Sequence, residues 1–224
     1  LRKDVVDMIY KSTEGHIPSA LCIIDIIYVL YKRVLKFNPK NPEWDGRDYF
    51  ILSKGHGCAA LYSVLAHFGF FSKDELKTYC KLNSILGGHP DRNKIPGVEA
   101  TTGSLGHGLP IGLGIALAMK ILNKPNKVVV LIGDGESNEG TIWESAQIAK
   151  NMSLDNLIVI IDRNKSQAYS FDYDYRKIWD SFGWDAEEMD GHNHKEIEEK
   201  LKMILNSNSK LPKVVVANTI KGKG

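Results

Sequence analysis

Cysteine is scarce in this chain, and its placement suggests no staple: Cys22, Cys58 and Cys80 are odd in number and show no CxxC spacing. That pattern speaks against a disulfide framework and for reduced thiols in a cytosol. Long apolar runs are also missing. The longest, Ala20 to Tyr31, is interrupted by Asp25 and falls short of the ~30 Å of hydrocarbon that a spanning helix must cross. No membrane partner is expected. Neither charge is in excess, since 29 basic and 27 acidic residues leave a net +2, and the one basic cluster is the short KGKG at the end. Nucleic acid is therefore a poor candidate partner. There is no internal repeat and no low-complexity segment. No leader is visible in a chain that begins at Leu1 without Met, and a cytoplasmic location is the expectation.

What is present is enough apolar sequence for one large core, and the 224 residues read as a single domain. Short apolar runs, YFILS (49–53), KVVVLIG (127–133), LIVIID (157–162) and KVVVANT (213–219), alternate with longer helical patterns. Continuous β-branched runs separated by helices indicate an α/β fold, a parallel sheet with helices on both faces. Helices are expected over 2–13, 20–36, 57–68, 73–82, 107–122, 141–151 and 194–206, the fourth opened by a capping box of Ser72 and Glu75. Residues 83–105, rich in glycine and holding His89, form a long loop of the kind that more often serves function than idles.

The stretch VVVLIGDGESNEG (128–140) places an aspartate between two glycines at the carboxyl end of a buried strand. In open parallel sheets ligands sit beyond such ends. A dinucleotide fingerprint fails here, because the glycine spacing is wrong and a bare carboxylate would repel a pyrophosphate. A calcium loop starting at Asp134 fails as well, with Glu139 where glycine is needed and Ser145 where glutamate is needed. A magnesium ion between the carboxylate and a diphosphate turns the repulsion into a bridge, and Mg²⁺ prefers few protein oxygens plus phosphate oxygens. The next strand delivers Asn164 at its own carboxyl end, and the carbonyl of Ser166 can add a third oxygen. Gly135 lets backbone approach a phosphate with no Cβ in the way. Alone, Asp134 reads equally well as an Asx-turn or helix-cap residue; Asn164 is what favours the metal.

GDGESNEG followed by the Asn of DRNKSQ resembles the signature of thiamine diphosphate enzymes, and the chain as a whole resembles the diphosphate-binding domain of transketolase. The matching motifs run in family order from end to end: EGHIPSA, FILSKGHGCAALY, LGGHPD, VEATTGSLGHGL, GDGESNEG, DRNKSQ, DGHN and TIKGKG. The resemblance implies a thiamine diphosphate-binding fold. It also implies Mg²⁺, with Ca²⁺ or Mn²⁺ able to substitute, held by Asp134, Asn164 and the Ser166 carbonyl. Gly135 and Lys221 would lie near the diphosphate, and Ser19, His56, Gly103, Ser104 and Leu105 would line the cofactor. His16, His56 and His89 match the family's active-site histidines, a residue type suited to moving protons near neutrality. An isolated loop histidine would instead be read as a cap or a packing residue. Glu139 matches a family acid that connects two cofactors across a dimer interface; its plainer role is to stabilise the first turn of a helix.

His107 stands where many transketolases have glutamine and receives no role. His192 and His194 are read as a turn and a helix start rather than a metal site, and His67 as packing. The small residues Gly108, Gly112 and Ala116, with Gly114 and Ala118, permit close backbone approach, to the chain's own sheet or to another subunit. Pro18 in GHIPS and the segment SQAYSFDYDY depart from the family pattern and bear on which sugar fits. The implied function is that of a transketolase amino-terminal subunit, moving a two-carbon ketol unit between phosphorylated or related sugars. The pyrimidine-binding surface would come from a carboxy-terminal subunit, in an α2β2 assembly, or from a continuation of this chain. The competing readings are a 1-deoxyxylulose-phosphate synthase-like enzyme, a 2-oxo acid dehydrogenase component, and a non-catalytic cofactor-binding paralogue.

Overall fold

The computed structural model describes residues 1–166 and 173–224. Most of the SQAYSFDYDY departure therefore lies outside the described residues. Five strands, β1 (Tyr49–Leu52), β2 (Val128–Gly133), β3 (Leu157–Arg163), β4 (Asp185–Asp190) and β5 (Lys213–Asn218), form an all-parallel sheet in the order β1-β2-β3-β5-β4. The helices are α1 (Arg2–Ser12), α2 (Ile17–Leu21), α3 (Ile24–Val29), α4 (Cys58–Phe68), α5 (Gly108–Ile121), α6 (Gly140–Asn151), α7 (Tyr175–Ser181) and α8 (His194–Leu205).

The strands alternate strictly, although their sequence does not. Val129, Leu131, Ile158, Ile160 and Val215 point into a core shared with α1, α3, α4 and α8. Val128, Val130, Ile132, Val159, Ile161 and Val216 point into a second core with α5, α6 and α7. Both faces are covered, so every position can be apolar and the period of two disappears from the sequence.

Three expectations are corrected. β4, with the sequence DAEEMD, was not foreseen: it pairs only with β5 at the sheet edge, where acidic side chains are tolerated and discourage further pairing. The helix expected over 20–36 is broken at Cys22 and Ile23, and after α3 it widens into a π-turn at Leu30–Val34. A segment buried on nearly all sides carries no polar face to mark such a break. Over 73–82 the chain makes only a 3₁₀ segment, Lys73–Thr78. Ser72 Oγ does accept a backbone hydrogen bond there, from Asp74 N, but the Glu75 side chain turns to Thr78 instead of closing a capping box.

The small face of α5 is explained by its own sheet. A Cβ at Gly108 would lie 2.4 Å from Ser53 Oγ, and one at Gly112 would lie 2.5 Å from Val130 Cγ2, whereas one at Gly114 would meet nothing. All three cysteines are free, with Cys22 and Cys58 buried. Among the described residues no helix is long and apolar enough to cross a membrane.

Candidate functional site

Parallel strands bring their carboxyl ends to one edge, and the pairing of Gly133 with Asp162 fixes what meets there. Asp134 leaves β2 and Asn164 leaves β3 side by side. SKGH follows β1, Thr219 and Lys221 follow β5, and the turn between α1 and α2 brings His16 and Ser19 over the top. The result is a cleft of about 610 Å³. Of the residues expected from sequence, His16, Ser19, His56, Gly103, Leu105, Asp134, Gly135, Asn164, Ser166 and Lys221 line it. Ser104, His89 and Glu139 do not line it and are exposed. His89 nonetheless sits against the cleft wall, where a Cβ on Gly103 would come 3.3 Å from its ring. Glu139 is the residue before α6 and packs beside Gly106.

Asp134 combines its plain role with a site position. Its Oδ1 accepts from Gly135 N and its Oδ2 from Lys165 N, both at 2.8 Å, so it caps the short turn Gly135–Asn138 while facing the cleft. Burial raises its pKa, and the two backbone amides pull it back down. A carboxylate accepts about four hydrogen bonds or ligands, so capacity remains on both oxygens. Asn164 Oδ1 accepts from Ser166 N at 3.1 Å, and its Nδ2 donates to Asp162 Oδ2 at 2.8 Å.

The histidines differ in environment. His16 and His56 meet edge to face with ring centroids 5.5 Å apart. Burial, and then the nearby Lys54 ammonium and the other two histidines, push His56 down to about 4, so it is neutral at physiological pH. Several lining or supporting residues escaped sequence reasoning. Glu136 is buried under the cleft, where Oε1 accepts from Ser53 Oγ and Gly106 N and Oε2 from Gly133 N, and burial raises its pKa against these bonds. Lys54 and Asp162 form a buried ion pair at 2.6 Å. Burial alone would lower Lys54 and raise Asp162, but their mutual attraction reverses both shifts and both stay charged. Beside them burial pushes the Cys22 thiol up to about 12, which leaves it un-ionised. Tyr175 OH donates to the Asp134 carbonyl at 3.0 Å. The motifs containing Lys54 and Asp162 were visible, but nothing in one dimension joins β1 to β3.

The residues fit a metal-bound diphosphate. Among the described residues no three His, Cys, Asp or Glu side chains gather to hold a metal by themselves. The cleft offers one carboxylate and one amide oxygen, a hard and incomplete donor set that suits Mg²⁺ completed by phosphate oxygens. Lys221 adds an exposed cation at the rim. Ser19 Oγ is buried at the cleft wall with no hydrogen-bond partner, which is costly unless a ligand supplies one. His192 and His194 occupy a turn and helix start as expected, with Asn193 capping α8, but both also bond to Asp25, at 2.8 and 2.9 Å. His67 is exposed and packs against the Tyr28 and Phe68 rings. His107 bonds the Leu105 carbonyl at 3.0 Å.

The family model for the thiamine diphosphate binding domain of transketolase matches residues 1–224. A 6-deoxy-6-sulfo-D-fructose transketolase subunit of Clostridium sp. is 39% identical, over 100% of this chain and 83% of its own length. One of the two subunits of an apulose-4-phosphate transketolase from Actinobacillus succinogenes is 43% identical, over 100% of this chain and 82% of its own length. The crystal structure of a transketolase variant from Pichia stipitis superposes with a TM-score of 0.94 at 33% identity, covering 100% of this chain but 35% of its own.

Proposed function

We propose that this chain, which belongs to the transketolase family, is the amino-terminal subunit of a split transketolase that moves a two-carbon ketol unit from a ketose to an aldose. The observation that carries this reading is the single cleft at the strand ends, where Asp134, Asn164, Gly135, Lys221, two histidines and the unpartnered Ser19 hydroxyl converge. Thiamine diphosphate, when bound, supplies the nucleophilic carbon and the electron sink.

Asp134, Asn164 and the Ser166 carbonyl hold Mg²⁺. Gly135 and Lys221 receive the diphosphate, and Ser19, Gly103, Ser104 and Leu105 line the rest of the cofactor. His56, neutral and half-buried, offers a directed hydrogen bond without adding positive charge to a cleft that already holds Lys54 and Lys221. His16 and His89 exchange protons with substrate hydroxyls and steady the oxygens on which charge develops. Glu139, exposed beside Gly106 and outside the cleft, connects to a second site across a subunit interface. The relatives that cover the whole chain are named for a sulfonated ketose and for apulose 4-phosphate; we extend the donor class here to phosphorylated or sulfonated ketoses. The pyrimidine-binding surface comes from a carboxy-terminal partner, in an α2β2 assembly in the cytoplasm.

The test is ketol transfer by this chain alone and with the candidate carboxy-terminal chain, against a panel of donor ketoses. Activity is expected only from the mixture, and robust transfer by the 224-residue chain alone overturns the split arrangement. In the mixture, His16→Ala and His89→Ala are expected to lower kcat by about 10²-fold or more, with much smaller effects on cofactor affinity.

A further inference from the structure

Asn164 holds its side-chain amide between two partners of opposite kind. Nδ2 donates to the Asp162 carboxylate at 2.8 Å, and Oδ1 accepts from the Ser166 backbone N–H at 3.1 Å. A carboxylate can only accept and a backbone amide can only donate, so these partners fix which end of the amide points where. Asp162 itself is held from several sides. Its Oδ2 also takes Lys54 Nζ at 2.6 Å and Cys22 Sγ at 3.0 Å, its Oδ1 takes Thr219 Oγ1, and its side chain is 0% exposed. The backbone carbonyl of Asp162 accepts from Asp134 N at 3.1 Å. One residue thus touches both of the residues whose side chains are assigned above to the metal.

A buried ion pair is poor evidence of stabilisation, because an apolar pair of the same shape often serves the fold equally well. What the charge pair supplies here, and an apolar pair would not, is a rigid acceptor next to an amide whose two ends are nearly the same size. We infer that Asp162, anchored by Lys54 and Thr219, is a positioning residue that locks the Asn164 amide with its oxygen, and not its NH₂ group, presented to the metal. An unlocked amide can rotate and turn a donor toward a dication, which forfeits the ligand. The inference rests on the metal reading given above.

Two variants with the ion pair removed isolate the acceptor. Lys54→Met with Asp162→Asn keeps a side-chain oxygen for Asn164, whereas Lys54→Met with Asp162→Leu keeps the bulk and removes that oxygen. Mn²⁺, which accepts the same oxygen donors, is titrated by electron paramagnetic resonance into the two-chain assembly with saturating thiamine diphosphate. The leucine combination is expected to bind Mn²⁺ about 10–100-fold more weakly than wild type, the usual range for a lost outer-shell partner. The asparagine combination should stay within a few-fold. Wild-type binding with both combinations unchanged, or both weakened alike, overturns the positioning role alone. A wild-type assembly that binds no Mn²⁺ under these conditions overturns the metal reading and this role with it. A measurement needing neither variant nor metal covers failure of a variant to fold. In the metal-free wild-type chain, nuclear magnetic resonance should detect a scalar coupling across the hydrogen bond between Asn164 Nδ2 and the Asp162 carboxyl carbon, and its absence would overturn the lock.

Discussion

Asp162 and Asp25 each draw several donors onto one carboxylate, yet they sit in different dielectric settings. Asp162 is closed off from solvent at the cleft floor and is balanced by Lys54, whose charge does not change in the physiological range. Asp25, in the first turn of α3, is 13% exposed and binds Arg2, His192 Nδ1 and His194 Nε2. Ile220 N donates to His192 Nε2 at 2.9 Å, so Nδ1 carries the proton that bonds Asp25. Arg2 also bonds the carbonyl of Lys223. The first network orders groups facing the cleft, and the second straps the segment carrying Lys221 to α1 and α3. Two similar clusters of charge thus serve different ends: one aims ligand atoms and the other holds a chain segment in place.

The sharpest way to break that contrast is to strike each region and compare what is lost. Asp134→Ala is expected to abolish cofactor-dependent turnover at ordinary Mg²⁺, because the diphosphate then faces no bridging cation, while the melting temperature changes little. Full activity in this variant, measured with the partner chain present, would remove the metal assignment. Asp25→Ala should do the reverse. Losing a partly buried acceptor of three donors costs about 1–3 kcal/mol, and at about 2–4 °C per kcal/mol for a domain of this size the melting temperature should fall by several degrees. Cofactor affinity should weaken modestly through the Lys221 segment, with kcat at saturation retained.

The two regions should also separate in pH dependence. Burial raises the Asp25 carboxyl, but its bonds to His192 and His194 and the Arg2 charge outweigh this and leave its pKa lowered. Its stabilisation is therefore complete above the unfolded carboxylate value of about 3.9 and is lost as pH falls below it. Melting curves of Asp25→Asn should lack that part of the acid limb. His56 is lowered to about 4 by burial and by Lys54, so the unfolded chain binds its proton more readily. Stability tied to His56 is present above about 6.5 and declines as pH falls toward 4. A proton magnetic resonance titration should place its midpoint near 4, and a midpoint near 6.5 would show that the Lys54 field does not reach it.

Much of this was legible in one dimension because its causes are local. The runs VVVLIG and LIVIID marked central strands, and GDG and DRN placed Asp134 and Asn164 at strand ends where ligands collect. The small face of α5 was readable as well, since Gly108 and Gly112 permit close approach, although only the fold shows that Ser53 and Val130 are what they approach. DAEEMD could not be read as a strand. Its side chains carry none of the usual signal, and it is extended only because β5 offers a free edge.

The sequence by itself determined the class of fold, the family, and most residues of the cleft, since strand propensity, loop glycines and short motifs each act within a few residues. Tertiary structure alone decided that Lys54 neutralises Asp162, that Asp162 turns Asn164, that Glu136 is sealed beneath the cleft, and that Ser19 is left with an unpartnered hydroxyl. Those relations follow from the register that sets Gly133 beside Asp162 and from the desolvation of charges brought together from distant strands. Neither exists until the sheet has formed.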